Sequence, residues 1–158
     1  GNPLTVATHL PNSPIIKTGK REGSKIRLPN GNYLEETAYY YVLMETKAGG
    51  MTPALITMKS SQLSVSKNWN SMMKTIQIED GKGGFVTPPM HAVVYNLSSA
   101  IQKNDKGSWY GWSITQDRIM GQEDKGLYKS AKEFSSSVSD GTVQAKADVE
   151  EKSDSTPY

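Results

Sequence analysis

The clearest period along the chain is the strand period. The run TAYYYVLMETK, Thr37 to Lys47, is dense in aromatic and β-branched residues and reads as a strand. AGG then turns the chain, and PALITM, Pro53 to Met58, is its expected hairpin partner. From Ser60 the period changes. Val65, Trp69, Met72, Met73 and Ile76 follow one another at steps of four, three, one and three, which draws one apolar stripe on a helix. An amphipathic helix of about 15 residues is expected, with Ser60 or Ser61 as its cap. Its other face carries Lys67 and Lys74, two turns apart, among Asn68, Asn70 and Ser71.

The segment IEDGKGGFVTPP reads as a flexible loop. After it, HAVVYNLSSA and SWYGWSI are strands joined by the QKNDKG turn, a second hairpin. A further helix is expected in DKGLYKSAKEFSSSV, where Leu127, Tyr128, Ala131, Phe134 and Val138 share one face and Asp124 is a candidate cap. Residues 1–23 are rich in Pro, Asn, Thr and Gly and read as an extended arm, with a first strand at 24–28 before the PNGN turn. Residues 139–158 are polar, acidic and nearly free of large apolar groups, so a disordered tail is expected.

The domain proper is thus 24–138, mainly β with two helices. Three strands, a helix, two strands and a helix are the element order of an OB-fold, and a five-stranded antiparallel barrel with a helix between strands 3 and 4 is the expected architecture.

Against this frame the stretch NDKGSWYGW, Asn104 to Trp112, stands out. Strand side chains alternate, so Trp109 and Gly111 share one face while Tyr110 and Trp112 share the other. Both faces cannot be core at the edge of a small barrel. One aromatic set is therefore expected to reach solvent, and Gly111 is expected to leave backbone open for a flat ligand. Tyr39, Tyr40 and Tyr41 repeat the problem: Tyr40 must face opposite to its neighbours. Exposed rings stack bases at about 1–3 kcal/mol each, and lysines hold phosphates. The candidate stacking residues are Trp109, Tyr110, Trp112, Tyr39 and Tyr41. The candidate phosphate contacts are Lys59, Lys67, Lys74, Lys103 and Lys106, with Lys20, Arg21, Lys25 and Arg27 loading the first part of the chain. Which of Trp109 and Trp112 is the exposed one stays open. Trp69, inside the helical stripe, is expected in the core.

Composition narrows the chemistry. The chain has 158 residues, room for one domain with a sizeable core. It has no cysteine, which removes disulfides, thiol nucleophiles and thiolate metal sites. His9 and His91 are the only imidazoles, too few for a triad or a His-based metal site, and neither a metal nor a cofactor is expected. GKGGF lacks the spacing of a phosphate-binding P-loop. Adjacent acids, Glu35 with Glu36 and Glu79 with Asp80, are read as solvated surface groups rather than a two-metal nuclease site. No apolar run approaches the roughly 18 residues of a membrane span, and the first residues lack the features of a signal peptide. The expected location is the cytoplasm.

The formal net charge of +2 conceals an asymmetry. Asp140 to Tyr158 holds five acids and two lysines, while the 139 residues before it hold 16 basic and 11 acidic side chains. A basic body with an acidic tail suits a domain that meets a polyanion.

The runs PALITMKSSQLSVSKNWNSMM and PPMHAVVYNLSSAIQKNDKGSWYGW resemble a family of bacteriophage single-stranded-DNA-binding proteins of replication and recombination modules. The resemblance covers roughly residues 38–138 and is most specific in MKSSQL, KNWNSMM and NDKGSWYGW. It implies an OB-like fold, binding without catalysis in the cytoplasm of a bacterial host, and a tail that contacts replication or recombination proteins. Such tails are acidic and end in an aromatic. DVEEKSDSTPY is similar in kind, so Asp148, Glu150, Glu151, Asp154 and Tyr158 are the candidate partner contacts, although Lys146 and Lys152 dilute the charge. The other reading is a protein-interaction or inhibitor module that grips a host or phage enzyme with the same aromatic surface. Met72 and Met73 leave a core role and a homo-oligomer contact both open.

Overall fold

The computed structural model describes residues 7–143, in two units. The first is described over 7–34 and the second is Glu35–Val143. In the first, a 3-10 turn at Pro14–Thr18 leads into β1 (Lys20–Glu22), which pairs antiparallel with β2 (Lys25–Arg27). β3 (Tyr33–Glu35) completes a three-stranded sheet in the order β1-β2-β3. The expected first strand is therefore β2, and part of the expected arm is ordered chain. One of its basic side chains is tied locally: Arg27 lies 3.7 Å from Glu22 and over the Tyr33 ring, while the Tyr33 hydroxyl donates to Glu22.

In the second unit the expected hairpins both form. β4 (Thr37–Glu45) pairs with β5 (Met51–Lys59) in register from Thr37↔Lys59 to Glu45↔Met51. Alternation sends Ala38, Tyr40 and Val42 inward with Ile56 and Met58, and Met58 is fully enclosed at 0% exposure. The 3-10 turn Ser60–Gln62 then opens α1 (Leu63–Thr75), whose stripe buries Trp69 against that face. Trp69 stacks on Tyr40 at 4.4 Å and meets Tyr95 edge-on at 5.5 Å. Its burial and ring pairs together contribute on the order of 2–4 kcal/mol.

Neither expected serine caps α1. Ser60 adopts a left-handed conformation (φ 54°), and Gln62 occupies the cap position without a capping bond from its side chain. The segment expected as a loop contains a small antiparallel ladder, β6 (Ile78–Glu79) with β7 (Phe85–Val86). β8 (Val93–Asn104) and β9 (Gly107–Ile119) form a long ribbon whose register shifts between Val94 and Tyr95. The base of its inner face, Tyr95, Leu97 and Ile114, packs on the Ile56–Met58–Trp69 core. α2 (Lys125–Ser139) buries Ala131 and half-buries Leu127, Tyr128, Phe134 and Val138, the face that the spacing predicts. Asp124 occupies its cap position, as expected, but the carboxylate turns back to the Gly121 amide (3.0 Å) and to Arg118 (2.9 Å) rather than to the first turn of α2.

The five-stranded barrel is not found. Among the described residues the strands lie in four separate sheets, none with more than three strands and none closed. Two interactions account for this. The hairpins meet through their faces, with Trp69 between them, rather than through edge hydrogen bonds. At the edge of β9 a side chain, Gln62, takes the Trp112 amide that a neighbouring strand would need.

Candidate nucleic-acid interface

The β8–β9 ribbon outruns the core, and its alternation determines what the free end displays. The turn is tight: the Lys106 amide donates to Asn104 Oδ1 at 2.8 Å, and Gly107 takes a φ of 145° that a side chain would oppose. On one face Leu97↔Ile114, Ser99↔Trp112, Ile101↔Tyr110 and Lys103↔Ser108 succeed one another outward. The first pair is packed on the core. Beyond it the same face opens to solvent, with Trp112 37%, Ile101 58% and Tyr110 73% exposed.

The opposite face carries Trp109 and Gly111, and it is not open. Trp109 donates its indole N–H to Gln102 at 2.9 Å, and Gln62 reaches the same amide oxygen at 3.5 Å. The two glutamines lie over Gly111, where an added Cβ would come within 2.5 Å of Gln102 Nε2 and 2.7 Å of Gln62 Nε2. The expected bare backbone for a flat ligand is thus a buried glycine under an amide network. Of the three crowded aromatics, Tyr110 and Trp112 face solvent together and Trp109 is half-buried and committed to Gln102.

The remaining candidates separate into groups. Lys103 shares the face of Ile101 and Tyr110, and Lys106 stands in the turn beside it; both are exposed. Lys67 and Lys74 project from the outer side of α1, and Lys59 closes β5. Tyr39 and Tyr41 lie on the face of β4 opposite Tyr40, as alternation requires, and so are not on the Tyr110–Trp112 face. The tail candidates Asp148, Glu150, Glu151, Asp154 and Tyr158 lie outside the described residues.

Three participants were not singled out by sequence reasoning: Gln62, Gln102 and Ile101. Ile101 was legible, because it sits two residues from Lys103 on a strand and opposite Tyr110 in the hairpin register. The glutamines were not, because nothing local links residues 62, 102 and 112.

A cleft of about 170 Å³ opens between α1 and β9, lined by Val65, Asn68, Trp69, Met72, Trp112 and Ile114. Trp69 is 4% exposed, and its indole N–H has no hydrogen-bond partner. The Tyr95 hydroxyl beside it is likewise buried without a partner, and burial raises its pKa.

In the GKGG loop, Asp80 accepts from the amides of Lys82 (2.7 Å) and Gly84 (3.0 Å), which holds its carboxyl below the usual range. Those amides therefore serve the loop and are not directed at a phosphate. No three His, Asp or Glu side chains converge among the described residues, and no helix there is long and apolar enough to cross a membrane.

Residues 5–144 match the family model described as Pam3 phage gp34-like protein, and the chain belongs to that family. No curated protein and no solved structure matches it significantly.

Proposed function

We propose that this member of the Pam3 phage gp34-like family is a non-catalytic protein that binds single-stranded DNA in support of phage DNA replication or recombination. The observation that carries the reading is the free end of the β8–β9 ribbon. There Tyr110, Trp112 and Ile101 form one exposed apolar face, with Lys103 on the same face and Lys106 in the adjoining turn. Rings and lysines interleaved on a solvent-facing strand supply the two interactions that hold an unpaired strand: stacking on bases and charge on phosphates. The element order of an OB-fold is compatible with this use, but the reading rests on the surface and not on a barrel.

The test is a fluorescence-anisotropy titration of labelled oligo-dT, about 30 nucleotides long, at low and high salt. Binding is expected to fall steeply with salt. Tyr110→Ala, at a position 73% exposed, is expected to weaken it by about 5- to 150-fold, the equivalent of one stacked base, while leaving the fold intact. A chain ending near residue 140 is expected to bind more tightly, because the acidic tail then no longer competes for the basic face. Absence of binding by every form at low salt would remove the proposal.

A second reading is favoured by Ile101, an aliphatic side chain 58% exposed beside Tyr110. Such a pair also suits a protein interface, in which the ribbon grips a host or phage enzyme. Salt separates the two, since an aromatic-centred protein interface weakens little as ionic strength rises.

A further inference from the structure

We infer that the cleft between α1 and β9 receives one nucleobase of the bound strand, so that the strand is anchored edge-on as well as stacked on the ribbon surface. The inference rests on the single-strand-binding reading and adds a subsite to it.

Size is the first argument. At about 170 Å³ the cleft is well below the roughly 300–1,000 Å³ of sites that enclose a whole small-molecule ligand. It suits a single flat group. Chemistry is the second. Val65, Met72 and Ile114 make its walls apolar, Trp112 offers a ring at its partly exposed side, and Asn68 brings an exposed amide. Trp69, 4% exposed, also lines it. A nucleobase combines a flat π-face with donors and acceptors along its edge, which matches a ring, an apolar wall and the Asn68 amide together.

Charge is the third argument. On α1, Val65 and Met72 differ by seven residues and so share a face, with Asn68 beside them. Moving round the helix away from the core, the exposed Ser71 comes next and then Lys67 and Lys74. The helix thus presents the order base cleft, polar row, lysines, and a strand lying along it would have its phosphates toward the cations. This gives Lys67 and Lys74 a role that the ribbon alone does not.

The test compares oligo-dT with an equally long strand of abasic sites, by anisotropy, for the full chain and for Met72→Phe, which fills the cleft. Asn68→Ala, which removes the amide at the cleft and leaves the core untouched, is the second variant, and thermal melting monitors folding of both. The expected result is that Met72→Phe melts as the wild type does, binds oligo-dT about tenfold or more weakly, and binds the abasic strand unchanged. Asn68→Ala is expected to lose several-fold on oligo-dT alone. Unchanged oligo-dT affinity in a folded variant, the outcome if the cleft instead holds a partner protein's side chain, overturns the inference while leaving ribbon binding intact. Equal losses on both strands overturn it too, because the contact is then to the backbone. A wild-type chain that binds neither strand removes the underlying reading itself.

Discussion

At the scale of single residues, Tyr40, Gly111 and Gln62 decide how the apolar surfaces are arranged. Tyr40 is the middle of three tyrosines, and only its inward alternation places its ring on Trp69 and its hydroxyl among Ser66 Oγ (2.7 Å), the Ser66 carbonyl (3.2 Å) and Asn70 Oδ1 (2.9 Å). Ser66 is buried, so Tyr40→Phe leaves a buried hydroxyl with one partner fewer. A loss of about 1–2 kcal/mol is expected, read as a lower urea midpoint with an unchanged slope. Gly111 has a different constraint. Gly111→Ala must displace Gln102 or Gln62, and with them the bonds to the Trp109 indole and the Trp112 amide. It is expected to lower stability and to change Trp fluorescence without ligand; a variant that melts and fluoresces as the wild type does would show that the amide network is not needed. The alternation of the tyrosines was readable from the chain. The cover over Gly111 was not, because both glutamines come from distant positions.

At the scale of elements, periodicity carried well. Both hairpins, α1 with Trp69 in its buried stripe, and the five-residue apolar face of α2 all follow the spacing of their apolar positions. Caps carried in part, since Gln62 stands where Ser60 or Ser61 was expected, while Asp124 holds the expected cap position of α2 but turns its carboxylate to Arg118. A side chain that caps a helix locally can be claimed by a tertiary partner, and the local pattern does not show that partner. The Arg118–Asp124 pair has a pH signature. The Arg118 hydrogen bond, and after it the Gly121 amide, hold the Asp124 carboxyl below its ordinary value. A carboxyl lowered in the folded state stabilises above the unfolded value of about 4 and loses that contribution as pH falls through the folded one. The melting difference between the wild type and Asp124→Asn is therefore expected to be present at neutral pH and to shrink in acid. A difference constant from neutral pH to strong acid would contradict this role for the ion pair.

At the scale of the whole molecule, the sequence order of strands and helices pointed to a barrel, yet the pairing did not follow. Order constrains neighbours along the chain, whereas closing a barrel requires edges to meet, and here faces meet instead. The first expected strand joins β1 and β3 in a separate sheet. The proposed binding face survives this change, because it depends on the alternation within one hairpin and on that hairpin outrunning its core. Its central claim is that an unpaired strand lies on Ile101, Tyr110 and Trp112. The most direct measurement is an amide chemical-shift map of the isotope-labelled 17.3 kDa chain as oligo-dT is added. The account predicts that the largest shifts gather at residues 99–103 and 108–112, with a second set along α1 from Val65 to Lys74. Shifts confined to the basic β1–β2 hairpin, or none at all at low salt, would contradict it.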